Sequence, residues 1–106
     1  MVEKRVWVMN DWDFEVREIG VNELKKEMQN ISKKWYVSVP LDEIIFGDKV
    51  ETVVLQPVNA WGEQEFSLDK LDKLVEMVEK GIIKELLIEI DWDKHWVVYT
   101  KSNNCS

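Results

Sequence analysis

Cysteine occurs once in these 106 residues, as Cys105 in the polar run from Lys101 to Ser106, so an intrachain disulfide and a cysteine-built metal cluster are both excluded. Histidine also occurs once, as His95, and none of the serines stands in a Gly-x-Ser-x-Gly setting, which leaves no activated nucleophile legible in the chain. Glycine and proline together fill only six positions, too few for a phosphate-cradling loop or for a low-complexity or collagen-like chain. Nowhere do 18 apolar residues run consecutively, and Met1 to Arg5 lead straight into an alternating pattern, so neither a membrane span nor a signal peptide is expected. A cytoplasmic location follows as the expectation. Positive charge is scarce too: 21 acids against 14 bases give a net charge of −7, the wrong sign for phosphate backbones or anionic lipid, and direct nucleic-acid binding is not expected.

What remains is a chain that folds. Hydrophobic residues make up 45% and charged residues 33%, and the length suits one core. One domain over residues 1–101 is expected, followed by a disordered polar tail over 102–106. From Glu3 to Met9 the side chains alternate, and Phe14 to Arg17 alternate again after the turn-forming Asn10 to Asp13, which predicts a β-hairpin. Leu24, Met28, Ile31 and Trp35 recur at helical spacing behind Asn22 as N-cap, predicting a helix from Glu23 to Lys33. A strand from Trp35 to Val39, a short helical turn over Asp42 to Phe46, a strand from Val50 to Gln56 and an irregular stretch from Pro57 to Glu65 follow.

The second helix has the clearest signals. Ser67 caps it, Asp69 and Asp72 lie in its first turn, Gly81 stands just past its end, and Leu68, Leu71, Leu74, Val75 and Val78 form its buried stripe, with Phe66 and Leu71 as a hydrophobic staple. Leu86 to Ile90 and His95 to Thr100 make a closing hairpin. The order is ββαββαββ, an α+β fold with an antiparallel or mixed sheet and both helices on one face.

Two groups of residues carry candidate chemistry. Asp-Trp-Asp occurs twice, at Asp11 to Asp13 and at Asp91 to Asp93, and if the two turns met at one end of the sheet their aspartates would be candidate ligands for a hard cation. Aspartate is also a favoured turn residue, and the flanking residues hardly match, so no duplication is read from the repeat. The second group is an acidic middle segment. Between Trp35 and Glu65 stand Asp42, Glu43, Asp48, Glu51, Glu63 and Glu65 against Lys49 alone, which accounts for five of the seven net negative charges.

Six tryptophans are several times ordinary usage. Trp35 continues the stripe of the first helix and reads as core, whereas Trp12, Trp92 and Trp61 fall in turns or the Pro/Gly-containing loop and are candidates for exposure. Acidic loops with exposed indoles and little catalytic equipment suit a small binding or inhibitor domain that occludes a basic protein surface, with Trp61, Glu63, Glu65, Asp42, Glu43 and Asp48 as contact residues. Antidotes to nuclease toxins and viral blockers of nucleic-acid-binding defence proteins share this general composition. The alternatives are a metal-dependent enzyme built on Asp11, Asp13, Asp91 and Asp93, and a sugar or small-ligand module built on the tryptophans. No cofactor is expected and oligomeric state is not legible.

Overall fold

A computed structural model describes residues 4–39, 50–58, 64–91 and 93–100. The elements are β1 (Arg5–Asn10), β2 (Val16–Gly20), α1 (Val21–Ile31), β3 (Trp35–Val37), β4 (Val50–Gln56), β5 (Gln64–Phe66), a 3-10 turn (Leu68–Lys70), α2 (Leu71–Glu79), β6 (Ile83–Asp91) and β7 (Lys94–Tyr99). The strands form one sheet in the order β2-β1-β7-β6-β4-β3-β5. Every neighbouring pair is antiparallel except β4–β6, which is parallel. Parallel neighbours cannot be joined by a hairpin, and the connection from β4 to β6 runs through β5, the 3-10 turn and α2.

This is the expected α+β class, a mixed sheet with two helices among the described residues. One strand was not anticipated: Gln64 and Glu65, expected at the end of an irregular stretch, pair with β3 through Trp35↔Phe66, Tyr36↔Glu65 and Val37↔Gln64. Three residues are too few for an alternation signal, so only the partner strand makes β5 a strand. The expected helical turn over Asp42 to Phe46 and the tail over 102–106 lie outside the described residues.

The core occupies one face of the sheet. Val6 lies opposite Ile19, Val8 opposite Val98, Val98 opposite Leu86, and Leu86 and Ile88 lie beside Val53 and Leu55. Successive strand residues point to opposite faces, so these residues share one side. They form a single cluster with Val21, Leu24 and Met28 of α1 and Leu71, Leu74, Val75, Met77 and Val78 of α2. Lys25 on α1 also reaches Asp72 on α2 at 3.3 Å. Trp35 is fully buried in this layer, and its indole N–H is satisfied by the Met28 and Ser32 carbonyls at the end of α1, at 3.2 and 3.0 Å.

Both helix termini on the N-terminal side differ from the reading of sequence alone. Helix α1 starts at Val21, with extended Gly20 in the cap position, so Asn22 lies inside the first turn. The Val21 N–H donates to the Lys4 carbonyl at 2.9 Å, so the residue just ahead of β1 satisfies one of the N–H groups that the first turn leaves without a partner inside the helix. Ser67 precedes a 3-10 turn and makes no side-chain cap bond. At the other end of α2 the expectation holds: Gly81 has φ +78, its N–H donates to Val78 and that of Ile82 donates to Met77, the paired bonds of a Schellman motif.

Arg17 closes the core at the β2 margin. It shares the inner face with Val8, its strand partner, its guanidinium carbon lies 5.3 Å from the centroid of the Trp96 ring, and both terminal nitrogens bond the two carboxylate oxygens of Glu27 on α1. The hydrogen bonds to Glu27 hold the guanidinium above its already high ordinary pKa, so it remains cationic throughout.

Candidate partner-binding face

Both described helices pack on one side of the sheet, and the side that no described helix covers carries a second set of apolar residues. The alternation places Val54, Leu87, Val97, Met9 and Val16 in one row across five strands, as the registers Val54↔Leu87, Leu87↔Val97, Val97↔Met9 and Met9↔Val16 require. Beside this row Trp7 and Tyr99, themselves cross-strand partners, stack with ring centroids 6.4 Å apart and 13° between planes. Trp7, Met9, Val54, Leu87, Val97 and Tyr99 are all half-buried.

Polar rows frame that band. On one margin Glu65 lies opposite Tyr36 and Tyr36 opposite Gln56. The Gln56 amide donates to Glu89 at 3.2 Å, while its carbonyl oxygen is buried without a partner among the described residues. Glu89 lies opposite His95, whose Nε2 is 4.0 Å from the Glu89 carboxylate and whose Nδ1 is 3.5 Å from that of Asp11. On the other margin Thr52 bonds Glu85 at 3.4 Å, and Glu18 faces Trp7 with Arg5 3.8 Å away. Carboxylates thus outnumber cations around the apolar band.

The antiparallel β1–β7 and β6–β7 pairings bring the two Asp-Trp-Asp turns to the same end of the sheet, the condition on which the cation hypothesis depended. Two of the four aspartates hold backbone N–H groups there. Asp13 accepts the Glu15 N–H at 3.0 Å, and Asp11 accepts the His95 N–H at 2.9 Å. Asp91 pairs with Lys94 across a bulge in the register, and Lys94 lays its ammonium 5.6 Å from the centroid of the Trp12 ring, joining the two turns. Among the described residues no three His, Cys, Asp or Glu side chains, Asp93 included, stand together as a metal site.

Phe14, expected in the second strand, belongs to this turn and adopts φ +61. Its N–H donates to the Asn10 carbonyl at 2.8 Å, and the Asn10 N–H donates to Glu15 at 3.0 Å. A left-handed conformation costs a residue with a Cβ about 1–2 kcal/mol. Phe14 is 73% exposed, Val16 46% and Trp12 41%, which places three of the four most exposed large hydrophobic residues of the described chain in this turn or at the start of the strand that follows it.

Of the contact residues read from the sequence, Asp42, Glu43, Asp48, Trp61 and Glu63 lie outside the described residues, as does Trp92. Glu65 is exposed and belongs to the face opposite the described helices through its place opposite Tyr36. That face was missed at the level of sequence, although the signal was present: β1 and β7 carry apolar residues at both parities, Trp7 and Met9 between Val6 and Val8, Val97 and Tyr99 between Trp96 and Val98. No helix among the described residues is long and apolar enough to cross a membrane. No family model matches the chain, and neither a curated protein nor a solved structure matches it.

Proposed function

We propose that the protein is a small acidic binding domain that occludes a basic surface of a partner protein, with the sheet face opposite the described helices as its contact. The observation that carries this reading is the Val54–Leu87–Val97–Met9–Val16 row set between margins bearing Glu65, Glu89, Glu85 and Glu18. An apolar centre within a charged rim is the anatomy of a protein interface: the centre holds the partner after contact and the rim steers its approach. The net charge of −7 acts in the same direction for a cationic partner. Glu63 and Trp61, next to Glu65 in the chain, extend the reading to the acidic segment.

A photo-reactive phenylalanine analogue in place of Leu87, with a control at Lys73 on the exposed side of α2, tests it in the cell of origin. A crosslink from position 87 to one protein, through a segment rich in Lys and Arg, supports the reading. Equal crosslinking from position 73, or none from 87, overturns it. With that partner purified, Glu63→Gln with Glu65→Gln slows association and flattens its salt dependence, whereas Trp61→Ala speeds dissociation.

A further inference from the structure

The β1–β2 turn combines two features that oppose the chain's own stability: a phenylalanine in a left-handed conformation, and a side chain left 73% exposed. Glycine or asparagine would fill such a position at lower cost, and neither strain nor exposure is compensated by burial within the chain. The turn is also held rigid. Asn10 bonds both Phe14 and Glu15 through the backbone, Asp13 holds the Glu15 N–H, Asp11 ties the turn to His95, and Lys94 covers Trp12. Val16, the first residue of β2, lies beside Met9, so the turn leads into the apolar row of the face opposite the described helices.

Resting on the binding-domain reading, we infer that this turn is the anchor of the contact: Phe14, flanked by Trp12 and Val16, inserts into an apolar pocket of a basic protein whose rim bears Lys or Arg. The charge around the tip sets the partner's chemistry. Asp13 and Glu15 flank Phe14 in the chain and Glu18 follows Val16 on the same face, all three exposed; the Lys94 ammonium lies over the Trp12 ring, and Arg17 is turned to the inner face and committed to Glu27 and Trp96. An acidic partner or an anionic lipid surface would meet these carboxylates with like charge. Rigidity adds affinity, because an aromatic side chain on a pre-ordered backbone loses little freedom on docking.

Two measurements on Phe14→Asn test this. The first needs no partner: asparagine tolerates the left-handed region, so the variant unfolds at an equal or higher temperature than the native chain, whereas a lower midpoint shows that Phe14 serves the fold and overturns the inference. The second uses the protein crosslinked from position 87 as the probe in titrations. Phe14→Asn weakens its binding by about 30-fold or more, the effect of removing an interface anchor. Unchanged affinity overturns the anchor while leaving the sheet-face reading intact, and the absence of any crosslink from position 87 overturns both.

Discussion

Asp11 holds the His95 backbone at both of its polar groups: the Asp11 carboxylate accepts the His95 N–H at 2.9 Å, and the Asp11 N–H donates to the His95 carbonyl at 3.0 Å. The carboxylate thus continues the β1–β7 pairing past the end of β1, and its second oxygen lies 3.5 Å from the imidazole. Asp11→Ala leaves the His95 N–H without its acceptor and is expected to cost about 1–2 kcal/mol. Asp11→Asn retains an acceptor of the same shape and should recover most of that loss. Urea unfolding of the two variants checks this, and equal losses would mean that the charge, not the hydrogen bond, matters.

Arg17 is expected to bind α1 to the sheet through Glu27 while packing on Trp96. Its side chain is 40% exposed, so the ion pair itself contributes modestly and the stacking adds to it. Arg17→Ala should therefore cost about 1–2 kcal/mol, and Arg17→Lys should recover little, since an ammonium reproduces neither the two-pronged bond nor the stacking. A double-mutant cycle with Glu27→Gln isolates the pair.

Leu74 is fully buried on the inner stripe of α2 with Leu71 and Val78. Leu74→Ala leaves a cavity at the centre of the helix layer and is expected to cost about 2–5 kcal/mol. A loss below about 0.5 kcal/mol in denaturant titration, the size of an ordinary surface effect, would show that the helix face is wrong.

Lys4 contributes a pH dependence. Its hydrogen bond to Glu79 at the end of α2 holds the ammonium above the ordinary lysine pKa. Because the folded value exceeds the unfolded one, the stabilisation is fully present below the ordinary lysine pKa and is lost as pH rises through the raised folded value. The stability difference between the native chain and Lys4→Met should therefore be constant near neutrality and shrink in strong alkali. Paired unfolding curves across that range measure it, and a difference that grows with alkalinity would reverse the assignment.

Periodicity along the chain is a local property, and every element that repeats it often enough was legible in the sequence. Leu71, Leu74, Val75 and Val78 mark α2, Gly81 marks its end through a conformation that only a residue without a Cβ adopts freely, and Val53 and Leu55 alternate with Thr52 and Val54 in β4. The aspartates at 11, 13, 91 and 93 were legible as turn formers for the same local reason. Pairing between distant segments is not local, and the tertiary structure alone decided it. Three residues from Gln64 become a strand only because β3 offers them an edge, and the Val21 N–H at the start of α1 finds its acceptor in the Lys4 carbonyl, just ahead of β1. The two Asp-Trp-Asp turns meet only because β1 pairs with β7. The face opposite the described helices belongs to the same class: Trp7, Leu87 and Val97 read as ordinary strand residues until the two described helices pack on the other side and leave them on a face that neither of those helices covers.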